Sequence, residues 1–287
     1  MAVWPVRISP APSTRCAPHG ACLNAAYVET AGGGFLAGPL TRGPWHPDHQ
    51  HAGPPSALIC RAVERAAAAA GELTHLGRLT VNLLRPAPVG ACNVEVAADY
   101  LGRSAGHFSG RLVAAGKEVA RFTALMQREA PLPVPEGAPG HPPPHAPRPW
   151  RDSEPVTMGF EGADPHFGYA ELVETRVADG QPFRGPSAMW FRLAHPLVEG
   201  EEPSPYQRVA VAADSGNGVS AALDFAKYVF VNCDLTINLF RRPVGTCICL
   251  EARSLFGGNS CGLAESALYD KDGVIGQATQ SLAVRLR

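Results

Sequence analysis

The sequence predicts an α+β chain of two tandem repeats, each an antiparallel sheet wrapped around one central helix. Three observations lead there. The run Leu79-Thr80-Val81-Asn82-Leu83-Leu84-Arg85-Pro86-Ala87-Pro88-Val89-Gly90 returns as Leu235-Thr236-Ile237-Asn238-Leu239-Phe240-Arg241-Arg242-Pro243-Val244-Gly245, and the identical residues keep their order at a separation of 155 or 156. In each half a helical stripe precedes long strand-like runs. A dense proline segment ending in Pro142-Pro143-Pro144 divides the halves. Solenoid repeats recur every 20–50 residues or so, so this longer period means two fused units. Ligand sites favour the interface that such a pair creates.

Residues 1–24, rich in Pro, Ala and Cys, carry no periodicity and are expected to be an extension to the first repeat, which covers 25–130. Tyr27 to Thr30 and Phe35 to Gly38 are short strand candidates split by Gly32-Gly33-Gly34. A helix is expected from Ser56 to Ala70, where Leu58, Ile59, Ala62, Val63 and Ala66 form an apolar stripe. Pro54 and Pro55 suit its first turn and Gly71 stops it. The runs 78–86, 91–102 and 106–127 then read as a three-stranded antiparallel meander, with turns at 101–104 and 115–117. Residues 131–151 are the expected linker. The second repeat, 152–287, follows the same order: strand candidates at 168–178 and 187–194, then a helix at 204–214 capped by Ser204 with Pro205 in its first turn. Its last strands are expected at 228–241, 245–256 and 261–285, the last interrupted by a turn at 269–273.

Composition narrows the function classes. With 287 residues, 45% hydrophobic and 18% charged, the chain can bury two ordinary cores. A formal net charge of −1 argues against a nucleic-acid partner, which calls for a basic face. Apolar stretches fall short of a membrane span, and Met1 to Arg7 lack the apolar core of a signal peptide, so no membrane partner and a cytoplasmic location are expected. The eight cysteines, at 16, 22, 60, 92, 233, 247, 249 and 261, contain no Cys-x-x-Cys pair and read as buried free thiols. Exposed sheet edges commonly pair, so a homodimer is expected.

Two stretches carry a resemblance. Gly43-Pro44-Trp45-His46-Pro47-Asp48-His49-Gln50-His51-Ala52-Gly53-Pro54-Pro55-Ser56-Ala57-Leu58 runs into the first helix. The second is the set Asp214, Asn232-Cys233-Asp234-Leu235-Thr236 and Gly276-Gln277-Ala278-Thr279-Gln280. With the doubled motif they resemble the thioesterase-like superfamily of double hot-dog proteins, the type II acyl-CoA thioesterases above all. The resemblance covers roughly residues 25–287 and implies hydrolysis of an acyl thioester, bound to CoA or a carrier protein. It implies no metal and no cofactor. In that family an Asp ending the second helix, a Thr or Ser on the next strand and a Gln near the C-terminus hold the attacking water. By position these become Asp214, Cys233 and Gln280. Cys233 departs from the pattern, which leaves Asn232 or Thr236 as the polar group. The same departure keeps open a hot-dog lyase, cyclase or isomerase acting on a polyketide-like substrate, and a non-catalytic acyl-binding protein.

The residues support such chemistry in their own right. A carboxylate behind the apolar run Val209 to Ala213 has its charged form disfavoured and is a better base at neutral pH. A Gln donates one hydrogen bond and accepts another, so it can hold a water. Amides at the start of the first helix are expected to hold the oxyanion; with Pro54 and Pro55 lacking N–H groups, the donors are Ala52, Gly53 and Ser56. Of the three histidines at 46, 49 and 51, His51 is the candidate donor to substrate, and no second ligand cluster favours a metal. Arg85, Arg241 and Arg242 either meet CoA phosphates or sit at solvated strand ends.

Overall fold

The computed structural model describes residues 24–133, 135, 147–159 and 168–287. Residues 1–23, with Cys16 and Cys22, and much of the expected linker lie outside them.

The first half contains β1 (Tyr27–Glu29), β2 (Phe35–Ala37), α1 (Gly53–Ala70), β3 (His75–Leu83), β4 (Ala91–Leu101), β5 (Ala105–Ala114) and β6 (Lys117–Gln127). The rest contains β7 (Glu154–Val156), α2 (Tyr169–Leu172), β8 (Val173–Gly180), β9 (Ser187–Leu193), α3 (Pro205–Ala213), α4 (Gly216–Val219), β10 (Tyr228–Asn232), β11 (Asp234–Leu239), β12 (Cys247–Phe256), β13 (Cys261–Asp270) and β14 (Gly273–Leu286). All described strands join one antiparallel sheet in the order β1-β2-β4-β5-β6-β3-β11-β14-β13-β12-β9-β8-β7, and β10 also pairs with β14.

The doubled motif forms the centre of this sheet. β3 and β11 pair antiparallel with Thr80 opposite Thr236, Leu79 opposite Ile237 and Val81 opposite Leu235. The two copies thus meet each other about a local two-fold at the threonine pair. Leu79, Val81, Leu235 and Ile237 are all buried in the core that also takes the apolar faces of α1 and α3. The helices run antiparallel: Gly53, at the start of α1, meets Val211 near the end of α3, while Glu64 accepts hydrogen bonds from Ser204 and Gln207 at the start of α3.

Several expectations change. The run 106–127 is a hairpin, β5 and β6, and β3 lies beside β6 rather than β4, so the first half is not a simple three-stranded meander. The run 228–241 is two strands because the backbone bends at Cys233, whose N–H donates to Ser281 O and whose carbonyl accepts from Leu83 N–H. Residues 169–172 are a single helical turn rather than strand. α1 begins three residues before Ser56, with both prolines inside its first turn, where their missing N–H groups cost nothing. Cys60, Cys92, Cys233, Cys247, Cys249 and Cys261 are free thiols, but only Cys60, Cys92 and Cys249 are buried as expected; Cys247 is half-buried, and Cys233 and Cys261, at a bend and a strand start, are exposed.

Candidate active site

The ends of the two helices bring the predicted site residues together. Asp214 follows the last turn of α3 and is only 6% exposed. Gln280, on β14, is 2% exposed. Asn232 Nδ2 donates to Asp214 Oδ1 at 2.8 Å, and Gln280 Nε2 donates to the Asp214 carbonyl at 3.0 Å and to its Oδ1 at 3.3 Å. Asp214 Oδ2 lies 3.0 Å from His51 Nδ1. Gln280 is itself held, since its Oε1 accepts from the Asn217 N–H at 2.8 Å.

Electrostatics decides what the His51–Asp214 contact is. Its length suits an ion pair, but both side chains are out of water, and burial disfavours both charged forms. Burial pushes the Asp214 carboxyl up to about 7, against hydrogen bonds from Asn232, the Gly53 N–H, Gln280 and the Ala52 N–H that favour its ionised form. Burial pushes the His51 imidazole down to about 3. The Gly53 N–H also donates to His51 Nδ1 at 3.1 Å, which marks Nδ1 as an acceptor. The contact is therefore a neutral hydrogen bond in the acid form, with the proton on Asp214 Oδ2, and the carboxylate forms as pH passes about 7.

The His51 ring is fixed from its other side. It stacks on Tyr169 with ring centroids 3.8 Å apart and planes 4° from parallel. Tyr169 Oη donates to Val211 O at 2.8 Å and accepts from Ser215 Oγ at 2.8 Å, which ties the stack to the end of α3.

The other expected residues stand differently. The amides of Ala52 and Gly53 reach the Asp214 carboxylate, so the start of α1 holds that carboxylate. Ser56 does not join them: its N–H and its Oγ both donate to Ala52 O. Cys233 is exposed at the bend between β10 and β11. Thr236 lies on the other face of the sheet, because it pairs with Thr279, one residue from Gln280, and successive residues face opposite sides. Its Oγ1 donates to Thr80 Oγ1 at 3.2 Å. Replacing Thr236 with Val is therefore expected to leave turnover within about twofold, a small effect on the scale of a lost catalytic group; a loss above tenfold in steady-state assays would place Thr236 in the mechanism. Arg241 is committed to Asp270 by two hydrogen bonds of 2.6 and 2.7 Å, and Arg85 to Glu118 O. The His46 and His49 rings lie against each other with centroids 4.5 Å apart and planes tilted by 31°.

Sequence reasoning missed Tyr169, Ser215 and Asn217. Asn217 lies only three residues after Asp214, but in the separate turn α4, so its approach to Gln280 had no periodic signal. Tyr169 carried none, because its partner His51 is remote in sequence.

Family models match the chain twice: the acyl-CoA thioesterase N-terminal domain over residues 41–127 and the acyl-CoA thioesterase C-terminal domain over residues 136–284. No curated protein matches the chain. Among solved structures, the chain is similar to a conserved protein of unknown function with a hot-dog fold from Alicyclobacillus acidocaldarius, at 17% identity and TM-score 0.66, over 91% of this chain and 97% of that one. It is similar to the TesB protein of Mycobacterium avium subspecies paratuberculosis, at 14% identity and TM-score 0.63, over 88% and 93%. It also resembles an acyl-CoA thioesterase II of Mycobacterium marinum, at 15% identity and TM-score 0.51, over 74% and 81%. At these identities the likeness speaks for the hot-dog fold, a large antiparallel sheet with few helices.

Proposed function

The chain belongs to the acyl-CoA thioesterase family, and from that premise we propose that it hydrolyses an acyl thioester by direct attack of water, with Asp214 as base. One observation supports this most: a buried carboxyl near neutrality, held by Asn232, Gln280 and His51 at the meeting of two helix ends. Asp214 Oδ2 takes a proton from the water as its oxygen attacks the thioester carbonyl carbon. Asn232 and Gln280 hold the carboxylate in line, and Asn232 is the polar group expected among residues 232, 233 and 236. The amides of Ala52 and Gly53 bring the positive end of α1 to the Asp214 carboxylate and favour the ionised form that the attack needs. The tetrahedral species collapses by breaking the C–S bond, and the proton on Asp214 leaves with the thiol. In the same reading, residues 25–130 and 152–287 are two hot-dog repeats, each wrapping its own helix.

The test combines free-thiol release from a panel of acyl-CoAs with mass analysis of the acyl product. Hydrolysis releases thiol and gives an acid heavier by one hydroxyl. Thiol retained on a product that has lost water, or has kept its mass, would replace hydrolysis by lyase or isomerase chemistry. The base works deprotonated, so kcat/KM is expected to rise with pH through about 7 and level off above it. A rate that stays flat across that range would take Asp214 out of the role.

A further inference from the structure

Beside the carboxylate, the sheet lays out an apolar floor. Directly paired residues of antiparallel strands share a face. Gln280 pairs with Ala264, Leu282 with Asn232 and with Gly262, and Val284 with Phe230. Gly262 in turn pairs with Phe256. Phe230, Leu282 and Phe256 therefore lie on the same face as Gln280 and Asn232 and begin one residue pair away from them, about 7 Å along the strand. Gly262 lacks a side chain where Phe256 crosses it: a Cβ there would sit 2.9 Å from that ring.

The floor has aromatic walls. Phe225 lies 4.6 Å from Phe230 between ring centroids and Trp45 lies 5.3 Å from Phe225. Trp45 and Phe256 both meet the buried Phe230 ring edge to face, at 85° and 73°. Phe230 is tied to the catalytic groups, since its carbonyl accepts from Asn217 Nδ2 and the Asn217 N–H holds Gln280. Trp45 is 41% exposed and Phe230 is buried, so the cluster runs from the surface into the fold on the face that carries Gln280 and Asn232. Trp45 also belongs to the loop that carries His51, which couples this wall to the base.

We propose that this floor is the acyl subsite and that the acyl group it takes is aromatic, a ring on a short stem that joins the Trp45–Phe225–Phe230–Phe256 cluster. The inference rests on the thioesterase reading above. The chemistry is quadrupolar: rings already set edge to face accept another ring at 4.5–7 Å or so in the same manner, and each such pair adds to what area burial supplies. A flexible alkyl chain gains only the area term and loses more rotamer freedom on binding.

The test compares phenylacetyl-CoA with hexanoyl-CoA. In the Asp214→Asn variant, which holds the substrate without turning it over, isothermal titration is expected to give phenylacetyl-CoA at least fivefold tighter binding. Trp45→Ala, made in the same background, brings the two affinities within twofold, and Phe256→Leu does the same where a second variant is needed. In the wild type, kcat/KM is expected to favour phenylacetyl-CoA by the same factor. Equal or tighter binding of hexanoyl-CoA would overturn the aromatic subsite, as would an unchanged preference in both variants. Because binding is read without turnover, a selective protein that releases no thiol would remove the hydrolytic reading alone.

Discussion

Asp214→Asn is expected to lower kcat by roughly 10²–10⁴-fold, the range for loss of a general base, while KM stays within a few-fold. The same substitution is expected to make the protein more stable above pH 7. Both effects come from one geometry. In its acid form Asp214 accepts on Oδ1 from Asn232 and Gln280 and donates from Oδ2 to His51 Nδ1. An Asn keeps that pattern, with its carbonyl in place of Oδ1 and its amide N–H donating to His51, but its amide is far too weak a base to take a proton from water. The sign of the stability effect follows from proton linkage. The folded carboxyl, at about 7, binds its proton more tightly than in the unfolded chain, where the ordinary value is 3.8. Stability fully present below about pH 3.8 is therefore lost progressively as pH rises from there through 7, a cost on the order of 4 kcal/mol for a shift of this size. The Asn variant does not ionise and escapes that loss. Urea denaturation of both proteins at pH 5 and pH 8.5 checks it: the advantage of the variant is smaller at the lower pH, where the loss is only partly developed, and full at the higher. A variant equally active, or destabilised at both values, would show that Asp214 is a structural carboxylate.

The helices and strand runs were legible because their signals are local. Proline in the first turn, a Ser cap and an apolar stripe place α1 and α3, and the doubled motif marks β3 and β11. What escaped depends on partners remote in sequence. The place of β3 beside β6 is set by the pairing of Thr80 with Thr123, which no turn signal announces. The break at Cys233 looks like strand in sequence, and it arises because Asn232 and Asp234 must face different neighbours: Asp214 for the first, Ser281 for the second. That break is also why counting along the motif suggested Cys233 for the site while the geometry brings in Asn232. Thr236 was a candidate through the resemblance, as a polar group near the position that Cys233 fills, and period-two alternation against Gln280 removes it once the register is known. His51 was singled out as a donor, yet its stacking on Tyr169 joins residues 118 positions apart, a contact that chain order does not reveal.

Gly53→Ala tests whether the helix ends must touch. A Cβ at residue 53 would lie 2.6 Å from the backbone oxygen of Val211, 3.1 Å from His51 Nδ1 and 3.4 Å from the Tyr169 ring. Helix propensity alone favours Ala over Gly by about 1 kcal/mol. Overpacking against backbone costs about 1–3 kcal/mol, since Val211 cannot swing aside as a side chain would and α3 must move with it. The clash is expected to win, giving a net loss of about 1–2 kcal/mol in urea denaturation. The larger effect is expected on turnover. Separating α1 from α3 withdraws the Ala52 and Gly53 amides from Asp214 and pushes His51 off its position between Asp214 and Tyr169. A displacement near 1 Å at a reacting group costs on the order of 10²-fold in rate, so kcat should fall far more than stability does. With its amide contacts weakened, the Asp214 carboxyl is less well supported in its charged form, so the pH midpoint of the residual activity is expected to move upward. A merely destabilised protein would lose activity without that move. Wild-type turnover with an unshifted midpoint would mean that the close approach at Gly53 serves packing alone.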